Sequence, residues 1–167
     1  MAIIGLISDT HDHQKAVDEA IKIFRENKVE LILHAGDWIA PFTLKRLAQG
    51  GIPVIGVFGN NDGEKKYMRE LAAKYYVKLE EEVAVIKYDN VIIALTHGTH
   101  HVIVDALVKS KMFDVVVYGH THSKDVKNID GTLVINPGEA CGYLTGEATI
   151  AILNLKTKET LFISLNV

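Results

Sequence analysis

The chain has 167 residues, of which 48% are hydrophobic and 23% charged, as in ordinary globular proteins. This length predicts one domain over residues 1–167 with one sizeable core. The net charge of −3 and the lack of a basic run argue against an extended nucleic-acid-binding surface, and no apolar run reaches the length of a membrane span.

The first part of the chain alternates apolar runs with amphipathic segments. Asp12 and Asp62 are the predicted N-caps of the first and third helices. The predicted order is strand, helix, strand, helix, strand, helix, over Ala2–Ile7, 13–27, Leu31–Leu33, Pro41–Ala48, Val54–Phe58 and 62–74. This alternation predicts a parallel sheet covered by helices.

The rest of the chain is dominated by strand patterns. Val83–Lys87 and Val91–Leu95 flank Tyr88-Asp89-Asn90, which is a hairpin signature. A helix over about 101–111 then precedes four further predicted strands, over Val115–Tyr118, Thr132–Ile135, Ala148–Leu153 and Thr160–Leu165. We expect the later strands to form a second sheet that packs on the first.

Five apolar strands are each followed by a residue that can bind a metal ion. In chain order these residues are Asp9 with His11, then Asp37, Asn60, His97, and His120 with His122. Ligands of open α/β sheets gather at the carboxyl ends of strands, so the five tips can converge. In the extended D-x-H and H-x-H stretches, residues two apart point the same way and can serve one cluster.

The set combines two carboxylates, four imidazoles and one amide oxygen. Such a mixed nitrogen and oxygen set suits manganese, iron, nickel, cobalt or zinc and argues against calcium. Seven side chains are too many for one ion, but they suit two ions about 3.5–4 Å apart that share a bridging carboxylate. Two carboxylates leave part of the charge of two divalent ions uncompensated, which suits an anionic substrate such as a phosphate ester.

Each of these residues, taken alone, has a structural explanation. Asp9 or Asp37 can cap a helix or turn, Asn60 can occupy a left-handed turn position, and His97 can end a strand. The interpretation as a metal site depends on the joint pattern at five separate strand ends.

The ordered motifs SDTH, HAGD, GNND, a lone histidine after a strand, and GHTH resemble the calcineurin-like metallophosphoesterase superfamily. Their wording and the short chain are similar to its small prokaryotic phosphodiesterase branch. The later Asn136-Pro137-Gly138 matches the N-P-G turn that is usual in the family.

The resemblance implies a four-layer α/β/β/α sandwich of two mixed β-sheets flanked by helices. It further implies that a hydroxide between two ions attacks phosphorus in line and that Asp37 bridges the ions. The implied ligands of the first ion are Asp9, His11 and His122, and those of the second are Asn60, His97 and His120.

Position 61 departs from the family pattern, in which many members carry histidine directly after the asparagine. The residue here is Asn61, which donates hydrogen bonds but cannot protonate a leaving group at neutral pH. The implied catalytic residues are therefore Asp37, Asn60 and Asn61, without the family's proton donor. His13, His100 and His101 lie near the motif loops and are expected to be surface or helix-start residues, with substrate contact as the alternative for His13 or His100. His34 is expected in the core or behind the ligands.

The leading hypothesis is a metal-dependent phosphodiesterase that acts on a small substrate and uses manganese or nickel, with cobalt, iron(II) or zinc as further candidates. The alternatives are a phosphomonoesterase or nuclease, and a protein-binding scaffold, because a retromer scaffold subunit shares the implied fold. All seven ligand positions hold competent residues, which favours an enzyme. The single cysteine, Cys141, is expected to be buried and inert, and it fits a reducing compartment such as the cytoplasm. The N-terminal segment lacks a basic leader, no membrane partner is expected, and a homo-oligomer is possible.

Overall fold

The computed structural model describes residues 2–167 and contains four helices and eleven strands in that range. The elements of the first half are β1 Ile3–Ile7, α1 Gln14–Glu26, β2 Leu31–His34, α2 Pro41–Gln49, β3 Val54–Val57, α3 Lys65–Lys74 and β4 Lys78–Glu80. Those of the second half are β5 Val83–Tyr88, β6 Val91–Thr96, α4 His101–Lys109, β7 Val115–Val117, β8 Lys124–Ile129, β9 Thr132–Pro137, β10 Thr149–Asn154 and β11 Thr160–Ser164.

The strands form two mixed sheets, as expected. The first sheet has the order β11-β10-β1-β2-β3-β4, in which β1 to β4 run parallel, β10 runs antiparallel to β1, and β11 runs antiparallel to β10. The second has the order β5-β6-β7-β9-β8, with β6, β7 and β9 parallel and both outer strands antiparallel. Six of the parallel strands are each followed by a sequence motif, namely β1, β2 and β3 in the first sheet and β6, β7 and β9 in the second. The motif loops of each sheet therefore lie at the carboxyl ends of its parallel strands.

Three apolar clusters separate four layers and confirm the α/β/β/α sandwich. One cluster lies between α1, α2, α3 and the first sheet, and includes Phe24, Trp38 and Met68. A second lies between the two sheets, and a third lies between α4 and the second sheet. None of the helices within residues 2–167 is long and apolar enough to cross a membrane.

The predicted placement of the last two strands was wrong. Strands β10 and β11 join the first sheet, where β10 pairs with β1 from Ile3 opposite Asn154 to Leu6 opposite Ala151. This pairing satisfies the edge of β1 that β2 leaves free, because unpaired backbone groups in a buried strand are costly. Strands β4 and β8 were not predicted: β4 has only three residues, and β8 is mostly exposed and lacks an apolar pattern.

Two predicted helix caps were also wrong. His13 caps α1, since its Nδ1 accepts a hydrogen bond from the backbone nitrogen of Ala16 at 3.1 Å. Helix α3 begins at Lys65 after Glu64, which has a left-handed backbone. Asp62 instead lies buried beside the strand ends, where its carboxylate has other partners.

Candidate metal centre

The predicted ligands come together where the carboxyl edges of both sheets meet. The ligand atoms of Asp9, His11, Asp37 and His122 all lie within 4.8 Å of one another. Asp9 Oδ1 is 3.4 Å from His122 Nε2 and 4.0 Å from His11 Nε2, and Asp37 Oδ2 is 3.5 Å from the same His11 atom. These four residues follow three different strands, so the cluster forms only when both sheets are assembled.

A second group surrounds the other oxygen of Asp37. His97 Nε2 lies 3.4 Å from Asp37 Oδ1 and 3.0 Å from Asn60 Oδ1. The ring of His120 stands edge-on to that of His97, with 5.1 Å between the ring centres. Asp37 therefore faces His11 with one carboxylate oxygen and His97 with the other, which is the arrangement expected of a bridging ligand.

The donor atoms of the first group fit a divalent ion. Asp9 Oδ1 and His11 Nε2 are buried and have no hydrogen-bond partner among the described residues. A buried carboxylate oxygen without a partner carries a desolvation penalty that a bound cation removes. The other oxygen of Asp9 accepts hydrogen bonds from Ser8 Oγ at 2.6 Å and from the backbone nitrogen of His120 at 3.1 Å, so the free oxygen is held toward the cluster.

Burial and neighbouring charges shift the acidities of the central groups in opposite directions. Burial raises the pKa of Asp9. Burial also acts to raise the pKa of Asp37, but the hydrogen bond and charge of His97 and the hydrogen bonds from Asn61 outweigh it and lower the pKa. For His97 burial favours the neutral ring, yet the carboxylates of Asp37 and Asp9 prevail and raise its pKa. Without an ion, bound protons and hydrogen bonds offset the negative charge of the two carboxylates, and a cation would displace those protons.

Hydrogen bonds behind the ligands fix their orientation. Nδ1 of His97 lies 2.7 Å from the carbonyl oxygen of Ala35, so Nδ1 donates and Nε2 faces Asn60 and Asp37. The buried Asp62 accepts from the backbone nitrogens of Gly59 at 2.7 Å, Ile39 at 2.7 Å and Asp37 at 3.2 Å. Asp62 thereby ties the turn after β2 to the turn after β3.

Asn61 contacts the central carboxylate directly. Its backbone nitrogen donates to Asp37 Oδ1 at 2.9 Å, and its side-chain amide donates to Asp37 Oδ2 at 2.7 Å. The side chain thus occupies a position beside Asp37, where it can donate hydrogen bonds but has no acidic proton to release.

The remaining histidines lie in the core, at a helix start or on the surface, as the sequence predicted. His34 is fully buried, bonded to Thr10 Oγ1 at 3.1 Å and stacked on Trp38 at 3.5 Å, and burial lowers its pKa well below the ordinary value. His13 serves as a helix cap, and its ring lies 5.5 Å from that of Tyr143. His100 is exposed and precedes α4 without a side-chain capping bond.

Glu139 was not predicted from the sequence, and it lies fully buried beside the cluster. Its Oε2 lies 2.6 Å from Nδ1 of His122. Burial alone would raise its pKa, but hydrogen bonds from His122, Thr145 and Cys141 lower the pKa to about 2. A signal was present, because Glu139 follows β9, a sixth strand whose carboxyl end lies at the same edge. Cys141 is buried, as expected, and burial raises its pKa to about 12.

The backbone at the cluster is strained. Five of the seven predicted ligands have left-handed backbone angles, at φ of 50° for Asp9, 42° for His11, 57° for Asp37, 66° for His120 and 61° for His122. Residues other than glycine rarely adopt these angles, and such outliers concentrate at functional sites.

Two glycines allow the strand ends to approach each other. A β-carbon at Gly119 would overlap Ser8 Oγ and lie 2.8 Å from Asp9 Oδ2, and one at Gly59 would overlap the side chain of Asp37. The close approach of this strand end to Ser8 and Asp9 therefore explains the glycine at position 119, and the backbone nitrogen of the next residue, His120, donates to Asp9 Oδ2.

Three comparisons with known proteins identify relatives of this chain. The model of the calcineurin-like phosphoesterase superfamily domain matches residues 1–158. A phosphodiesterase of Methanocaldococcus jannaschii is 39% identical over 160 residues, covering 93% of this chain and 95% of that protein.

Solved structures give the same picture of the fold. An archaeal phosphodiesterase superposes with a TM-score of 0.93 at 39% identity, covering 98% of this chain and 99% of that one. Vps29 of Entamoeba histolytica superposes with a TM-score of 0.70 at 20% identity, covering 98% and 99%, and at that identity the likeness concerns the fold alone.

The close approach at Gly119 leads to a testable prediction. Gly119→Ala should displace Ser8 and Asp9, lower the free energy of unfolding by about 1–3 kcal/mol and weaken the binding of divalent ions. Calorimetric titration with Mn²⁺ and denaturant unfolding measure the two effects. Gly63→Ala is the matched control, because no atom of residues 2–167 lies within 4 Å of its β-carbon position. Equal ion affinity in the two variants would contradict the assignment of Asp9 to the site.

Proposed function

The chain belongs to the calcineurin-like phosphoesterase superfamily, and we propose that it is a metal-dependent phosphodiesterase with a centre for two divalent ions. The observation that carries the proposal is the convergence of Asp9, His11, Asp37 and His122 on one point, with a buried carboxylate oxygen that has no other described partner. The 39% identical relative that is named a phosphodiesterase supports a diester as the substrate.

The proposed ligands divide into two groups around one carboxylate. Asp9, His11 and His122 would hold the first ion, Asn60, His97 and His120 the second, and Asp37 both. When bound, such ions make water a usable nucleophile near neutral pH and offset the charge that develops on the phosphoryl oxygens. The mixed ligand set fits manganese or nickel first, and also cobalt, iron(II) or zinc.

The chain's own residues hold this centre in one geometry. The two hydrogen bonds from Asn61 keep Asp37 oriented between the groups. The carbonyl oxygen of Ala35 fixes the ring of His97, and Asp62 ties the neighbouring turns together. Because these side chains are already oriented, they need not rearrange when charge develops in the transition state, and this lowers the activation free energy.

Leaving-group protonation is the part of the reaction for which this site is least equipped. At position 61 an amide is committed to Asp37, so Asn61 supplies no proton. We therefore place Asn61 with Asp37 and Asn60 among the catalytic residues, as an orienting donor rather than an acid. Water must protonate the leaving oxygen, or the substrate must carry a group that departs as a stable anion.

The other candidate functions have weaker support. The scaffold alternative has no support beyond the fold, whereas all seven ligand positions are competent for metal binding. A phosphomonoesterase or nuclease differs only in substrate, and the net charge of −3 does not favour long nucleic acids. A hydrolysis screen of monoesters, diesters and cyclic nucleotides against Mn²⁺, Ni²⁺, Co²⁺, Zn²⁺ and Mg²⁺ distinguishes them.

The protein should lose diester hydrolysis when a chelator removes bound ions and regain it when Mn²⁺ or Ni²⁺ is added.

The role of Asp37 is tested by counting the ions bound to each variant. Asp37→Ala should reduce binding at both positions and lower hydrolysis by more than about 100-fold, since a shared ligand is lost. His122→Ala should chiefly weaken one position and His97→Ala the other.

Elemental analysis and calorimetry on the purified variants provide the measurement. Asp18→Ala is the control, because that carboxylate is exposed and forms a surface ion pair with Arg46. Two tightly bound ions in Asp37→Ala, or full activity in protein shown to be free of metal, would refute the two-ion proposal.

The role of Asn61 is tested by varying the leaving group. General acid catalysis contributes about 10²–10⁴-fold, so without it activated aryl diesters should react much faster than alkyl diesters. Asn61→His should reduce that difference if the imidazole reaches the leaving oxygen. Rates for a series of diesters, plotted against leaving-group pKa, give the slope for each protein.

Asn61→Ala is the matched control, because it removes the hydrogen bond to Asp37 without adding an acid. It should slow all substrates alike and leave the slope unchanged. A flat dependence in the natural protein would mean that another group, such as His13 or His100, already donates the proton.

A further inference from the structure

The carboxylate of Glu139 stands directly behind one predicted metal ligand. It follows β9, is fully buried, and has Oε2 at 2.6 Å from Nδ1 of His122. The opposite ring nitrogen of His122, Nε2, lies 3.4 Å from Asp9 Oδ1. The imidazole therefore spans the distance between Glu139 and the candidate centre.

The remaining partners of Glu139 are hydrogen-bond donors from one loop. Oε1 accepts from the backbone nitrogens of Thr145 at 2.6 Å and Leu144 at 3.0 Å, and from Thr145 Oγ1 at 2.7 Å. Oε2 accepts from Cys141 Sγ, which is a weak donor, at 3.3 Å and from the nitrogen of Leu144 at 3.2 Å. The loop between them carries Tyr143, whose ring centre is 6.5 Å from that of His11.

We propose that Glu139 is a positioning residue that keeps the proton of His122 on Nδ1, so that the lone pair of Nε2 is available to an ion beside Asp9 and His11. The same carboxylate anchors the loop of residues 141–145 against the site. An ionised carboxylate accepts hydrogen bonds and donates none, so it permits only the protonated state of Nδ1. The inference rests on the proposed function in that it takes His122 as a metal ligand.

The variant Glu139→Gln tests the positioning role, because the two carboxylate oxygens of Glu139 face different groups. Oε1 faces backbone N–H groups, whereas Oε2 faces an imidazole nitrogen that can donate or accept. Near Oε1 the backbone nitrogens of Leu144 and Thr145 can only donate, so the amide oxygen must lie there. The amide nitrogen then occupies the position of Oε2, where His122 can respond by accepting. Acceptance at Nδ1 moves the ring proton to Nε2 and removes the lone pair that an ion requires.

The first measurement is the protonation of His122 in metal-free, ¹⁵N-labelled protein, by a multiple-bond ¹H–¹⁵N correlation spectrum. It is recorded above the ordinary imidazole pKa of about 6.5. Nδ1 of His122 should carry a proton in the natural protein and none in Glu139→Gln. The signals of His97, whose Nδ1 faces a backbone carbonyl, should stay unchanged. An unprotonated Nδ1 in the natural protein would overturn the proposal even if the variant failed to fold.

The second measurement is the affinity for Mn²⁺ and Zn²⁺ by calorimetry. Glu139→Gln should weaken binding by about 10–100-fold, the usual effect of losing a partner of a ligating histidine. Thr145→Val is the matched control, because it removes a loop hydrogen bond to Oε1 without touching His122. It should keep both the Nδ1 proton and the ion affinity.

The results separate this proposal from the proposed activity. Unchanged affinity or a retained Nδ1 proton in Glu139→Gln refutes the positioning role, and so does an equal loss of affinity in Thr145→Val, which would assign the effect to the loop. Neither measurement uses catalysis. A protein that shows the expected proton shift and affinity loss but hydrolyses no phosphodiester would retain the positioning role and refute the enzymatic proposal.

Discussion

The burial of two carboxylates, Asp9 and Asp37, at the meeting edge of two sheets is the constraint on which the rest of this site depends. Both side chains are fully buried, and burial, together with the nearby charge of Asp37, raises the pKa of Asp9. Burying a charge is costly unless it is paired and hydrogen-bonded. Imidazoles lie on one side of the carboxylates and amide and hydroxyl donors on the other, and one oxygen of Asp9 has no hydrogen-bond partner within residues 2–167. That combination of donor atoms suits the binding of a cation.

The backbone accommodates this convergence at a local energetic cost. Five strand ends from two sheets must approach within a few ångströms, and side chains would collide where Gly59 meets Asp37 and Gly119 meets Ser8. Left-handed backbone angles at Asp9, Asp37 and His122 turn their side chains inward. The three apolar clusters between the layers supply the rigidity that holds these strained residues in place.

The sequence predicted which polar residues converge better than it predicted the strand order of the sheets. Polar residues after buried strands are a local signal, so Asp9 and His97 were recognised without knowledge of strand order. The membership of β10 in the first sheet was missed because an apolar run does not reveal its partner, and β8 was missed because an exposed edge strand has no apolar pattern. Glu139 was missed because the strand-end rule was not extended to β9. The capping role assigned to Asp62 failed because a tertiary network competed successfully for its carboxylate.

The central claim is that Asp37 lies between two ion positions at this edge. Anomalous diffraction from crystals grown with Mn²⁺ tests it directly, since the signal locates the ions independently of any assumed ligand. The account predicts two anomalous peaks on either side of the Asp37 carboxylate, about 3.5–4 Å apart. One peak would be next to Asp9, His11 and His122, and the other next to Asn60, His97 and His120. A single peak, or two peaks that leave Asp37 uncoordinated, in crystals of protein that hydrolyses phosphodiesters would contradict it.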